Sequence, residues 1–102
     1  MLQTIMEILQ FFFAATKGHT AIVKILAPLT DDPNAPNNDG DTPIYVAARY
    51  GHTEIVKILA FLTDNPNAPN KSGRTPSSVT KNPEIQRFLE SYNPSGKSKS
   101  IK

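Results

Sequence analysis

The sequence contains no cysteine. Disulfide bonds and thiolate sites are therefore excluded, and cysteine usage does not indicate whether the protein works in an oxidising or a reducing compartment. Net charge is also small, at +2 for 102 residues at pH 7. A charge of this size gives no support for nucleic-acid binding, so we expect no nucleic-acid partner.

The patterns that carry catalytic or metal chemistry are also missing. We find no glycine-rich phosphate loop, no paired-carboxylate pocket and no Ser/His/Asp arrangement in the sequence. The histidines His19 and His52 lie 33 residues apart, at the same place in two copies of a repeat. One repeat step of about 10 Å is too long for both to bind one metal ion. We therefore expect no enzyme activity, no metal site and no cofactor.

Long hydrophobic runs are absent except at the start of the chain. Residues 1–13, MLQTIMEILQFFF, are too short for a transmembrane helix, so we expect no membrane partner. They also make a poor signal peptide, because no positive charge precedes the apolar residues and Glu7 interrupts them. Their spacing predicts a helix from about Thr4 through Lys17 that is nearly hydrophobic all round.

Such a helix has more apolar surface than one neighbour covers. Leu9, Phe12 and Phe13 belong to one apolar stripe, and Ile8 and Phe11 add apolar surface beside it. The helix either folds down as a makeshift cap or pairs with another copy of the chain or a partner, since large exposed apolar patches mark contacts. The candidate residues of such an oligomer interface are Ile5, Ile8, Leu9, Phe11 and Phe12.

Most of the remaining chain is an internal repeat. Residues 14–43 align with residues 47–76 at a shift of 33, and 22 of the 30 aligned positions are identical. In proteins built this way, each repeat is one supersecondary unit that buries its apolar side against the next repeat. The repeat therefore predicts a stacked architecture.

The second copy shows how the unit begins. Thr42-Pro43 predicts a helix start, because threonine caps free amides and proline suits the first helical position. Gly51 supplies the left-handed residue that ends this short helix. A second helix begins at about Thr53, and its apolar residues fall on one stripe that Val56 widens: Ile55, Ile58, Leu59 and Leu62.

The unit ends in a loop. Prolines and asparagines in residues 64–70 keep the backbone out of helical space and favour turns. We expect an extended finger that leads to a turn at Gly73. One unit is therefore a helix, a tight turn, an antiparallel helix and a projecting hairpin-like loop.

These residues resemble the ankyrin repeat, whose pattern is G-x-T-P-L-H-x-A-A-x-x-G-H followed by a helix of V-V-x-x-L-L type and a loop ending D-V-N-A. Here residues 40–52 read GDTPIYVAARYGH, residues 55–59 read IVKIL and residues 65–68 read NPNA. The chain departs from the pattern at a few positions. They are Tyr45 in place of histidine, Thr30 and Thr63 in place of glycine, and Pro33 and Pro66 in place of valine.

The resemblance covers roughly residues 10–92 and implies the fold class. It is an all-α fold, a short ankyrin-repeat solenoid of antiparallel helix pairs joined by projecting hairpin-like loops. The resemblance also implies a role in binding other proteins, through the concave face on which the family presents its first helices and finger tips.

The third copy departs from the first two. Residues 77–80, SSVT, of which only Val79 is apolar, replace the apolar helix face, and a new helix starts at Asn82-Pro83 with Gln86, Arg87 and Glu90 facing outward. We therefore divide the chain as follows: an apolar helical extension at 1–13, a partial first repeat at 14–37, a complete second repeat at 38–70, a shortened C-terminal capping repeat at 71–92 and a disordered basic tail at 93–102.

Candidate binding residues come from the positions at which the two copies differ. Packing positions are duplicated, whereas most differences fall at the end of the first helix and at the finger tips. Arginine and tyrosine are common interface anchors, and finger tips of opposite charge can orient a partner. The candidate residues are Arg49, Tyr50, Asp39, Asp41, Lys71, Arg74, Thr16 and Lys17.

Two hypotheses of function follow. The first is a non-enzymatic module that binds a protein partner through the concave face and finger loops. The alternative is an assembly unit that forms a homo-oligomer through the apolar N-terminal helix. In either case we expect an intracellular protein, cytoplasmic or nuclear.

Overall fold

The computed structural model describes residues 2–29, 33–63 and 65–92, and within these ranges it describes side chains from Leu9 onward. The predicted tail at 93–102 and the predicted departure at Thr30 lie outside the described residues. The helices are α1 Leu2–Lys17, α2 Thr20–Leu26 with a 3-10 turn at Ala27–Leu29, α3 Pro43–Arg49, α4 Thr53–Ala60, α5 Pro76–Val79 and α6 Pro83–Ser91.

The helices form two stacked rows. Helices α1 and α2, α3 and α4, and α5 and α6 make three packed pairs. The first helices of the pairs contact one another in the order α1, α3, α5, and the second helices do so in the order α2, α4, α6. We call α1, α3 and α5 the inner helices and the others the outer helices. The predicted all-α solenoid of helix pairs is confirmed.

Polar caps fix where the helices begin. The Thr42 hydroxyl accepts a hydrogen bond from the Tyr45 amide at 3.2 Å, with Pro43 in the first turn of α3. At α6, the Asn82 side-chain oxygen accepts from the Glu84 amide at 2.8 Å and the Ile85 amide at 3.3 Å. Both starts agree with the sequence prediction, because side-chain oxygens satisfy amides that have no partner inside the helix.

Helix α1 lacks a capping residue at the position where the inner helix of the second repeat begins. Leu9-Gln10 stands where the second copy has Thr42-Pro43, so nothing interrupts the helix at that point. As a result α1 has 16 residues, whereas α3 has 7. The predicted long helix is confirmed, and it begins at Leu2 rather than at Thr4.

The inner helices pack through small residues. Ala14, Ala15, Ala47 and Ala48 are each no more than 1% exposed. Because alanine has only a methyl group, α1 and α3 can approach closely along their length. Larger residues at these positions would overpack the stack.

Phe11 differs from its prediction. It was expected to add to the exposed apolar surface of α1, but it is 1% exposed and belongs to the core. Its place corresponds to that of Ile44 in the next repeat, which is also buried. The expectation that Phe11 lies at an oligomer interface is wrong, because its side chain is already covered by the chain itself.

The apolar stripe of α4 also differs. Helix α4 ends at Ala60, and Leu62 beyond it is 44% exposed rather than buried. Val56 and Ala60 are instead fully buried beside Ile55 and Leu59. The helix lies between α2 and α6 and therefore buries two sides, not one stripe.

Candidate partner-binding surface

Each finger tip is closed by one asparagine. The Asn37 side-chain oxygen accepts hydrogen bonds from the amides of Asp39 at 2.9 Å and Asp41 at 3.0 Å. Asn70 does the same for Ser72 and Arg74, both at 2.9 Å. These two asparagines were not among the predicted residues. The sequence could have indicated them, because an asparagine occupies the same position of both copies, just before the turn of each finger.

The two finger tips are tied to each other. The Lys71 amide donates to the Asp39 carbonyl at 3.1 Å. The Asn70 side-chain amide donates to the Asp41 carboxylate at 2.8 Å. The structure therefore brings Asp39, Asp41 and Lys71 together. The Asp41 carboxylate is used in a hydrogen bond between the two fingers. Arg74 is exposed on the second finger.

Arg49 and Tyr50 form a separate group. The Arg49 guanidinium carbon lies 5.6 Å from the centre of the Tyr50 ring, close enough for a cation–π contact. Tyr50 is 53% exposed. Both residues line a cleft of about 460 Å³ together with Lys81, Asn82 and Pro83 of the third repeat.

The predicted residues therefore fall into two groups. Asp41 lies before the first residue of α3, and Arg49 is the last residue of that helix. Seven helical residues separate the two ends by about 10 Å along the axis. The finger tips and the Arg49–Tyr50 cleft thus lie at opposite ends of α3, not at one continuous ridge.

Thr16 has a structural contact. Its hydroxyl donates to the Phe12 carbonyl at 2.8 Å, and its own carbonyl accepts from His52 Nε2 at 2.9 Å. The second of these bonds joins the first repeat to the second. Lys17 is exposed, with its ammonium 5.8 Å from the centre of the Phe13 ring.

Lys81 was missed by the sequence comparison. Three residues are deleted from the third repeat, so the alignment that pairs the first two copies loses its register there. In the structure Lys81 follows α5 and lines the same cleft as Arg49. The available signal was a basic residue near the end of every inner helix: Lys17, Arg49 and Lys81.

The candidate oligomer residues have different surroundings. Leu9 is 60% exposed, and Phe12 is partly buried against the core. The side chains of Ile5 and Ile8 lie outside the described residues, although both belong to α1. Only Leu9 of the five is thus shown as an exposed apolar side chain.

In the described part of the chain, no group of three or more His, Cys, Asp or Glu residues is arranged to hold a metal ion. Among the described helices, none combines the length and the apolar character needed to cross a membrane.

Comparison with known proteins agrees with the architecture. Residues 11–93 match the family model described as Ankyrin repeats (3 copies). No curated protein gives a significant match to the chain. Ankyrin repeats are generally protein–protein interaction modules and are typically not enzymes. With most of its length matched and three helix pairs stacked in order, the chain belongs to the ankyrin-repeat family.

Proposed function

We propose that the chain is a non-enzymatic module that binds a protein partner on its concave face, the side of the inner helices. The observation that carries the proposal is the cleft between the second and third repeats, with Arg49 and Tyr50 at its edge. Neither residue is duplicated in the first repeat, which has Thr16 and Lys17 at those places. Packing does not account for them, because both are exposed.

The pair has the properties of an interface anchor. Tyr50 offers a large aromatic surface that is 53% exposed, and Arg49 lies over its ring. The contact favours one arrangement of the two side chains before a partner arrives, which reduces the conformational entropy lost on binding. Tyrosine and arginine are also among the residues that contribute most to binding at protein interfaces.

The charge of this surface favours an acidic partner. Lys17 and Arg49 end α1 and α3, and Lys81 follows α5. Neighbouring inner helices pack at about 10 Å between their axes, so these cations form a row across the stack. Glu84 is nearby in sequence, but its carboxylate pairs with Lys57 at 3.2 Å. A segment with spaced carboxylates would therefore be attracted along this row.

The fingers supply a second contact. Asp39, Lys71 and Arg74 are exposed at the tips, whereas Asp41 is held by Asn70. The hydrogen bonds between the two fingers hold the backbone from which Asp39 and Lys71 project. A partner long enough to span α3 would contact both the cleft and the finger tips.

The test is selection of peptides from a random display library on the immobilised chain. We expect the selected peptides to be rich in Asp and Glu. For a synthetic selected peptide, we expect Kd to rise at least about tenfold when Arg49 and Tyr50 are both changed to alanine, which is the size of effect that defines a binding anchor. The melting temperature should stay within a few degrees, since both side chains are exposed.

The matched control changes Lys24 and Phe61 to alanine. These residues are an exposed cation and an exposed aromatic on the outer helices or just after them. We expect the control to bind like the unchanged chain. If the Arg49 and Tyr50 variant binds the selected peptides as well as the control does, the proposed site is wrong.

A further inference from the structure

The first repeat has an apolar cleft on the side that faces away from the second repeat. The cleft has a volume of about 540 Å³, and most of its lining is apolar. Leu9 and Phe13 come from α1, and Ile22 and Leu26 come from α2. Three of these side chains are well exposed, with fractions of 60% for Leu9, 58% for Phe13 and 43% for Ile22. We call these four residues the leading face.

The second repeat shows what happens to this surface when it is covered. The corresponding positions there are Thr42, Val46, Ile55 and Leu59, and all four are buried. Thr42 caps α3, Val46 lies in α3, and Ile55 and Leu59 lie in α4; these two helices pack against α1 and α2 of the first repeat. The leading face of the first repeat is therefore a packing surface of the same kind, and three of its four described side chains are exposed.

The opposite side of each repeat, which we call the trailing face, behaves differently. Val23 and Ala27 of the first repeat and Val56 and Ala60 of the second are buried. The corresponding residues of the third repeat are Gln86 and Glu90, and both are exposed. The trailing end of the stack is thus polar, and it cannot cover the apolar leading face of another copy.

We infer that the leading face binds the leading face of a second copy, which makes a closed dimer. A head-to-tail contact would place Glu90 and Gln86 against Phe13 and Ile22, and it would bury a carboxylate without a partner. A head-to-head contact puts apolar surface on apolar surface. Such a two-fold interface uses the same patch on both copies and closes on itself.

Charge and size are consistent with this arrangement. The described lining of the cleft contains no Asp, Glu, Lys or Arg, so charge is confined to its edge, where the Lys17 ammonium lies 5.8 Å from the centre of the Phe13 ring. The face is small, because its described side chains come only from residues 9–17 of α1 and from the 7-residue α2. The contact area of two such faces falls below the about 1,200 Å² at which stable specific interfaces begin. The dimer should therefore dissociate on dilution.

The experiment is the molar mass by light scattering from about 5 to about 500 µM, the range in which a weak interface changes its occupancy. We expect the mass to rise from that of one chain to that of two and then to stay constant. Phe13→Glu should shift the midpoint at least about tenfold to higher concentration, since it places two carboxylates in the apolar interface. The control is Phe61→Glu, because Phe61 is an aromatic residue outside the leading face and is 75% exposed. This variant should leave the midpoint of the monomer–dimer transition unchanged.

A second measurement does not depend on placing a charge in the face. Because the chain has no cysteine, Gln10→Cys introduces a single thiol at the cleft. A short bismaleimide should link this variant into dimers, and it should leave Glu90→Cys, on the trailing face, as single chains. A monomer at every concentration, a mass that grows past two chains, or equal crosslinking of the two variants would overturn the inference.

Discussion

At the scale of single residues, the junction between the first two repeats depends on one glycine and one histidine. Gly18 has φ +80°, a left-handed conformation that costs little only for glycine. A Cβ at this position would lie 2.6 Å from Cε1 of His52. That ring is fixed by its hydrogen bond to the Thr16 carbonyl. Gly51 has nearly the same φ, but a Cβ there meets no atom within 4 Å.

We therefore predict that Gly18→Ala is more destabilising than Gly51→Ala. Both variants carry a backbone cost of about 1–2 kcal/mol for the left-handed conformation. Gly18→Ala must also displace His52 and lose its hydrogen bond, which adds about 1 kcal/mol or more. Urea unfolding of the two variants gives the comparison. Equal losses of stability would contradict the proposed contact between residue 18 and the His52 ring.

A double variant isolates that contact. When His52 is changed to alanine, the ring that a Cβ at position 18 would strike is gone. In this background Gly18→Ala should cost no more than Gly51→Ala does in the unchanged chain. A coupling energy between residues 18 and 52 that is close to zero would show that the additional cost has another origin.

At the scale of helices, Asn82 connects two elements. Its side-chain oxygen caps α6 through the amides of Glu84 and Ile85. Its side-chain amide donates to the Thr53 hydroxyl at 3.2 Å, at the start of α4. The residue thus sets where α6 begins and also ties the beginnings of two neighbouring outer helices together.

We predict that Asn82→Ala lowers the free energy of unfolding by about 1.5–3 kcal/mol, the sum of a lost cap and a lost hydrogen bond. Asn82→Asp keeps the capping oxygen and loses only the bond donated to Thr53. Its cost should be at most about 1 kcal/mol, because a carboxylate also suits a helix N-terminus. Chemical denaturation of both variants checks the order, and equal losses would mean that the cap contributes nothing.

The helix starts were readable from the sequence because their causes are local. Thr42-Pro43 and Asn82-Pro83 each place an oxygen acceptor before a proline, and the structure begins α3 and α6 there. The burial of Phe11 was not read correctly from the spacing of apolar residues within α1. Extending the shift of 33 residues toward the N-terminus pairs Phe11 with Ile44, which is also buried, and that pairing gives the correct burial. Position in the stack, rather than the stripe of one helix, decides which side chains are covered.

The candidate site was less predictable for the same reason. Arg49 and Tyr50 were found because they differ between copies, but Lys81 enters their cleft only through the packing of the third repeat on the second. The contact of Asp41 with Asn70 joins residues 29 positions apart, in fingers of successive repeats. Neither relation follows from local spacing, since both depend on how successive repeats are placed side by side.

At the scale of the whole molecule, the two ends of the stack have different chemistry. Apolar residues Phe13 and Ile22 are exposed at the leading end, and polar residues Gln86 and Glu90 are exposed at the trailing end. Interfaces between copies that use different patches generate open chains, whereas interfaces that use one patch twice close. The polar trailing end therefore limits assembly to two copies in the arrangement inferred above.

This difference predicts the effect of changing the trailing face. Gln86→Val with Glu90→Ala gives the third repeat the residues that the second repeat has at Val56 and Ala60, which are fully buried in the stack. The trailing end of one copy can then pack on the leading face of another. We expect the molar mass to grow beyond two chains as concentration rises, because this head-to-tail contact does not close.

Adding Phe13→Glu to that variant supplies the control. The new trailing face remains, but the leading face then carries a carboxylate that would be buried without a partner. Light scattering should show single chains again. Growth that persists in this triple variant would mean that the changed trailing faces associate with each other, and Phe13 would then have no part in the assembly. Suppression of growth by Phe13→Glu, with no effect from Phe61→Glu, would place the contact on the leading face.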